Sequence, residues 1–353
     1  MSAGWDAIDK AVAEAQREVA AHAPDADVAA EGKAYVMRVV ASSLTDAFLG
    51  HLFLENGLGR ALPTRGGPNP HYAMASARID PARRYRFEGQ LNDSERVGVG
   101  LYSLGENGAP LEVGYAAFDR TNSDADGRFS LDITSDASGP GRLSIPPQCR
   151  VLVTRTLHRD PGGKRARLSL FGGEQVTGLA LATGTSEGAL ARAAQTVVSS
   201  VREYLKWTRV AASKPNRFDI PAPELAATVQ GDRDTSYYLG YFDLGPGEWL
   251  EVCLPDEPPG YWSINIYNHW FESLQVDGVH DRNALKDSDG AVRVQIGPCV
   301  PGKLANRIDT MGRTRGALIC RIIGARKASM PEARLIRAGS GSYGQVMSEI
   351  CGS

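Results

Sequence analysis

A mainly β chain of the α+β class is predicted, with two antiparallel β-sandwich-like regions joined by a long helix and a helical segment at the N-terminus. Three observations predict it. The 353 residues include 39 glycines and 20 prolines, a share that favours many turns and short strands. Apolar residues alternate with polar ones at short intervals in two separate stretches. Between those stretches lies one long segment with apolar residues three and four apart.

Residues 1–60 read as N-terminal helices. Trp5, Ile8, Val12, Ala15 and Val19 form one helical stripe that Pro24 ends. A second helix is expected from about Glu31 to about Glu55, with Val36, Val39, Val40, Ser43, Ala47 and Phe48 inward and Asn56-Gly57 as the stop. Residues 61–180 read as the first β region. Tyr85 and Phe87 alternate with Arg86 and Glu88, and Val97, Val99 and Leu101 follow. Asp126-Gly127 reads as a hairpin turn before Phe129, Leu131 and Ile133. Strands continue at Val151–Arg155 and Ala166–Leu170. Strands without intervening helices exclude a βαβ fold. Residues 181–234 hold a helix from Ser186 to about Val210, with Leu190, Ala194, Val197, Val201 and Leu205 inward, and a link. Residues 235–353 form the second β region, where Trp262, Ile264 and Ile266 alternate with Ser263, Asn265 and Tyr267, and Ala317–Ile323 runs apolar as a strand buried on both faces.

The net charge of -2 comes without a run of one sign, so neither nucleic acid nor an anionic membrane is expected as partner. No apolar run approaches the roughly 18 residues of a membrane helix, and no signal peptide is visible. Five scattered cysteines, Cys149, Cys253, Cys299, Cys320 and Cys351, read as reduced thiols in a cytoplasmic protein. Phosphate-binding glycine loops and a Gly-x-Ser-x-Gly elbow are missing, so no nucleotide cofactor and no hydrolase nucleophile are expected. The histidines show no metal spacing, and no metal or other cofactor is expected.

The densest polar and aromatic stretch is Tyr261–Ser273. On a strand, Asn265 and Tyr267 share one face, which either lines a small-molecule pocket or meets water. Asn268, Trp270 and Glu272 follow as candidate substrate-binding residues or as a loop that Asn268 fixes. His269 has the proton affinity of a general acid or base, or serves as a hydrogen-bonding residue at a strand end. In the Asn306–Gly312 loop, Asp309 is a candidate base and Asn306 an orienting donor, unless both bond their own backbone as turn chemistry. Arg155, if it points inward, needs an acidic partner or an anionic ligand. Asn69 and Tyr72 close a glycine-rich loop, Tyr72 as a phenolic acid or a packing residue.

Several of these stretches together resemble a bacterial family known as domain of unknown function twelve-fourteen. The residues are Tyr261-Trp262-Ser263, Asn268-x-Trp270-x-Glu272-Ser273-Leu274, Pro301-Gly302, Asn306-x-x-Asp309-Thr310-x-Gly312, Gly316 and Arg321. Asn69-Pro70-x-Tyr72, Ile79-Asp80, Tyr85-Arg86, Val153-x-Arg155 and Arg159-Asp160 resemble the region preceding that domain. The resemblance implies an all-β sandwich-type domain beside a second β-rich part, and it implies no reaction. Cys299-Val300, Arg307 and Gln275 depart from the expected pattern.

Two functional readings remain. One is a cofactor-independent enzyme that moves protons on a small apolar or aromatic molecule, as a lyase eliminating a group or releasing a small aldehyde from a phenolic compound, or as a hydrolase. In it Arg155 or Arg321 holds an anionic oxygen, and Tyr267, His269 or Asp309 moves the proton. The other is a binding or scaffold protein without chemistry. A homo-oligomer stays open. The pocket reading requires that Tyr261–Glu272 and Asn306–Asp309 project into one interior between the β regions.

Overall fold

The computed structural model describes residues 2–60, 66–104, 110–173, 186–223, 225, 232–256, 258, 260–274, 276, 278–298, 306–324 and 329–337. Pro301-Gly302, Cys299-Val300, Gln275 and Cys351 lie outside them.

Two helices open the chain, α1 (Ala3–His22) and α2 (Ala26–Leu49). α2 starts earlier than expected because the Asp25 side chain accepts the Val28 N–H at 2.8 Å and caps it. Trp5 is 48% exposed, so the α1 stripe that packs inward runs through Ile8, Ala11, Ala15 and Val19 instead. Phe48 also faces out.

Ten strands follow: β1 (Leu54–Glu55), β2 (Leu58–Arg60), β3 (Tyr72–Arg78), β4 (Tyr85–Gln90), β5 (Arg96–Leu104), β6 (Pro110–Asp119), β7 (Arg128–Thr134), β8 (Arg142–Ser144), β9 (Cys149–Leu157) and β10 (Arg167–Phe171). Asn56-Gly57 does not stop a helix. It is the two-residue turn of the β1–β2 hairpin, with φ 51° and 82°, and left-handed backbone at both positions is what Asn-Gly supplies most readily. A six-stranded sheet, order β1-β2-β3-β9-β5-β6, packs on a four-stranded sheet, order β10-β4-β7-β8. Val97, Val99, Leu101 and Leu152 from the first meet Phe87, Leu131, Ile133 and Leu170 from the second. Asp126-Gly127 carries the chain from β6 in one sheet to β7 in the other, so it is a crossover and not a hairpin.

Helix α3 (Ser186–Ala212) leads to the second sandwich. Its strands are β11 (Arg217–Asp219), β12 (Thr235–Asp243), β13 (Glu248–Leu254), β14 (Trp262–Tyr267), β15 (Val279–His280), β16 (Val292–Gly297), β17 (Arg307–Asp309), β18 (Arg315–Ile323) and β19 (Glu332–Arg337). Sheet β11-β12-β18-β14-β15 packs on sheet β17-β16-β13-β19. Trp262, Ile264, Ile266, Leu318, Cys320 and Ile322 face this core. The alternate residues of the same strands therefore face away from it.

Helix α3 covers part of that outer face, with Trp207 and Ala211 against Leu239, Tyr241, Ala317 and Ile319. Its other side packs on α1 and α2. Trp270 locks this helical layer to the β14 loop. Its ring stacks on Tyr35 at 5.9 Å, and its indole N–H donates to the Val28 carbonyl at 3.1 Å. Gly32 carries no side chain because a Cβ there would meet Trp270 at 2.6 Å. Trp270→Ala is expected to cost about 3–5 kcal/mol of folding free energy, measured by urea unfolding; a loss below about 1 kcal/mol would show that the helical layer docks without it.

Candidate functional site

Strand pairing places Arg321 of β18 directly opposite Ser263 of β14 and Tyr237 of β12, and Asn265 opposite Ile319. Ser263, Asn265, Tyr267, Arg321, Thr235 and Tyr237 thus share the outer face of one sheet. In the first sandwich, Arg155 of β9 stands opposite Gly98 of β5 and Met74 of β3. Tyr72, Arg96, Tyr102, Tyr115, Arg155 and Leu157 share the outer face there.

These two outer faces meet. Leu157 and Tyr72 pack against Tyr261 and Ile323. Asn69 Nδ2 donates to Tyr261 Oη at 2.7 Å, and Tyr115 Oη donates to Asp232 Oδ1 at 2.7 Å. Arg96 pairs with Asp234. Gly98 lets Asp232 come this close, since a Cβ there would meet Asp232 Oδ2 and Tyr115 Oη at 2.9 Å. The result is a polar seam between the sandwiches.

Two guanidinium groups are buried in it. Arg321 Nη1 donates to Tyr267 Oη at 2.9 Å and to Asn265 Oδ1 at 3.3 Å, and Nη2 donates to the Gly67 carbonyl at 2.5 Å. All three acceptors are neutral. Arg155 Nη1 donates to Tyr102 Oη at 3.2 Å, while its Nη2 is buried and has no partner among the described residues. Asp232 Oδ2, Tyr72 Oη, Thr235 Oγ1 and Arg96 Nε are likewise buried and unpaired among them. Asp232 lies within electrostatic reach of Tyr72, Arg96, Tyr102, Tyr115 and Arg155, which ties these atoms to one place. A native interior leaves few buried polar atoms unsatisfied, and five of those among the described residues lie in this seam.

Burial shapes the titration here. It pushes the Tyr72 phenol well above its ordinary value, with Asp232 adding to the rise, and it pushes Tyr102 to about 12 against the opposing charge of Arg155. Burial also raises Tyr261 and Tyr267, opposed in both by Arg321. These phenols hold their protons at neutral pH. Beside them, His71 Nδ1 bonds Tyr261 Oη at 2.9 Å, and burial lowers its pKa to about 4, with His280 adding to the effect. Arg159 lies 5.1 Å from the Tyr261 ring and is paired with Glu95 and Asp281.

Of the residues the sequence singled out, Asn69, Tyr72, Arg155, Asn265, Tyr267 and Arg321 come together. The others do not join them. His269 bonds Tyr241 Oη through Nδ1 at 2.6 Å and packs edge-on against Trp270 at 4.7 Å. Asn268 accepts the N–H groups of Trp270 and Glu272 at 3.0 and 2.9 Å and shapes the loop. Glu272 makes a two-pronged ion pair with Arg38 of α2, 2.6 Å on each side. Asn306 holds both backbone groups of Leu285, and Asp309 accepts the Met311 N–H at 2.7 Å on edge strand β17. That loop is turn chemistry and does not project into the seam, so the single interior expected for both segments is corrected to the seam alone. Tyr102, Tyr237 and Asp232 were not singled out by sequence. Tyr102 and Tyr237 lie on strands that merely alternate, and Asp232 ends a link whose preceding residues 226–231 are outside those described. The open cleft of about 410 Å³ beside Arg84, Arg86, Asp132, Asp136 and Arg142 is a solvated salt-bridged surface on the far sheet of the first sandwich.

No model of a known family and no curated protein matches the sequence. Solved structures do. The chain shares its fold with an uncharacterised protein of Burkholderia cenocepacia. The two are 23% identical over 95% of this chain and 96% of that one, with a TM-score of 0.80. A Vibrio parahaemolyticus protein aligns over 86% of this chain and 98% of its own at 13% identity, with a TM-score of 0.46.

Two outcomes follow from this geometry. Arg155→Met removes a buried charge that lacks full pairing, so the ligand-free protein should melt at the same temperature or higher; a fall of more than about 5 °C would make Arg155 a structural residue. His269 has its pKa lowered to about 4 by burial, as has His71. The unfolded chain, with histidines near 6.5, then binds more protons between those values, so stability falls as pH drops from about 6.5 to about 4. His269→Gln should flatten that fall in unfolding curves taken across the window, and an unchanged slope would contradict it.

Proposed function

We propose that the chain is an enzyme that moves protons on a small aromatic or apolar molecule bound in the seam between the two sandwiches, in a reaction of the lyase type. The observation that carries this is that Tyr72 Oη, Asp232 Oδ2 and Arg155 Nη2 are buried with open hydrogen-bonding capacity and three different chemistries, with Asp232 beside Gly98 and within electrostatic reach of both Tyr72 and Arg155. Asp232 Oδ2 is an acceptor and serves as base. Tyr72 keeps its proton at neutral pH and serves as acid. Arg155 and Arg321 stabilise negative charge that develops on an oxygen. In an elimination, Asp232 takes one proton from the substrate and Tyr72 gives one to the leaving oxygen, so the proton count of the pair is unchanged. This replaces His269 and Asp309 as proton carriers with groups that lie in the seam.

The tyrosines support an aromatic or apolar body, since Arg155 lies 5.8 Å from the Tyr102 ring and Arg321 5.9 Å from the Tyr267 ring, and Tyr72 packs on Tyr261. A cytoplasmic location accords with the free thiols of Cys149, Cys253 and Cys320. The resemblance of Tyr261–Leu274 to domain of unknown function twelve-fourteen belongs to the same proposal.

The test is a panel of phenolic and aromatic acids incubated with the full chain and followed by mass spectrometry. Consumption of one compound is expected, and Asp232→Asn and Tyr72→Phe should each slow it about 10²–10⁴-fold while melting as the parent does. A compound retained by the protein but never consumed would leave a binding protein, and full activity in both variants would remove the two residues from the chemistry.

A further inference from the structure

We propose that the ligand of the seam is a monocarboxylate carried on an apolar body, its carboxylate held by Arg155 Nη2 with Arg96 Nε. This deepens the reading above and rests on it for the location of the site. The argument is a count of donors, acceptors and charges.

Arg155 and Arg96 stand on neighbouring strands β9 and β5, on the same face, with Gly98 directly opposite Arg155 and two residues along from Arg96. Each keeps one buried N–H nitrogen without a partner among the described residues. Guanidinium nitrogens donate and never accept, so whatever meets both must offer acceptor oxygens. Thr235 Oγ1 and Tyr72 Oη add two hydroxyls that can donate as well. Against these four stands one open acceptor among the described residues of the seam, Asp232 Oδ2. A neutral ligand with one carbonyl would leave most of the donors unsatisfied, and each buried donor left so costs free energy. A carboxylate has two oxygens and about four acceptor positions, and its plane matches the guanidinium fork.

Charge narrows the class further. Arg96 pairs with Asp234, and Arg233 pairs with Glu112 at the rim at 2.5 Å. Arg155 has Asp232 within electrostatic reach. Arg321 meets only neutral oxygens. The nearby phenols Tyr102, Tyr261 and Tyr267 are held protonated. Taken together, the seam sets Arg96, Arg155, Arg233 and Arg321 against Asp232, Asp234 and Glu112, one net positive charge that a monoanion bound anywhere in it neutralises and a phosphate dianion oversteps. Leu157, Val153 and the tyrosine rings on the same face favour an apolar remainder over a sugar or an amino acid.

Calorimetric titration of the full chain at neutral pH with benzoate, benzamide and inorganic phosphate tests this. Benzoate should bind, with benzamide and phosphate at least about 10-fold weaker. Arg155→Met should lower benzoate affinity at least about 10-fold, and Arg155→Lys, which keeps the charge and loses the fork, should fall between. Benzamide binding as tightly as benzoate, phosphate binding more tightly, no benzoate binding at all, or an unchanged affinity in Arg155→Met each overturn the carboxylate assignment. Turnover is not the readout, so benzoate binding without consumption of any compound keeps the ligand class and removes the reaction. Consumption of a neutral phenol without benzoate binding does the reverse.

Discussion

Two buried guanidinium groups, one from each sandwich, set the constraint on which the rest of this molecule depends. Arg155 and Arg321 project from faces that point away from the apolar cores, and both lie within electrostatic reach of Tyr237. Their burial requires the two outer faces to meet, which in turn requires close approach at Gly98 and a carbonyl from Gly67. Such charges cost folding free energy unless fully paired. Arg321 is paired with neutral oxygens and Arg155 only in part, and the proposed ligand would take up the capacity left open.

The helical layer serves that arrangement indirectly. Helix α3 occupies the part of the outer face of the second sandwich that the first sandwich leaves open, with Trp207 and Ala211 against Leu239, Tyr241 and Ile319. Trp270 and Glu272 then anchor the loop after β14 to α2, through Val28, Tyr35 and Arg38. The end of β14 is thereby fixed, and with it Tyr267, whose hydroxyl donates to the Pro68 carbonyl at 2.9 Å. His269, Trp270 and Glu272 hold the end of the strand that presents Asn265 and Tyr267.

Much of the fold was legible because hydrophobic period reports burial directly. The alternation in Trp262–Tyr267 and the three-four spacing after Ser186 each map onto one element with the expected inward face. The condition attached to Arg155 was also legible, since an inward arginine must find an acid or an anion. Whether Asp309 and Asn306 join a site or shape their own turn was not legible, because Asx side chains in a loop look alike in both cases. Asp232 and Tyr102 lie 130 residues apart and meet only when two sheets face each other. No local pattern marks such a pair, and an alternating polar residue reads as solvent-facing until a second sheet covers it.

The most direct test of the central claim is an experimental structure of the chain soaked with para-bromobenzoate, with the bromine located by anomalous scattering. The account predicts one bromine peak between β9 and β18, with the carboxylate against Arg155. A bromine found instead in the cleft by Arg84, Arg86 and Arg142, with the seam closed by a carboxylate of the chain itself on Arg155, would contradict it.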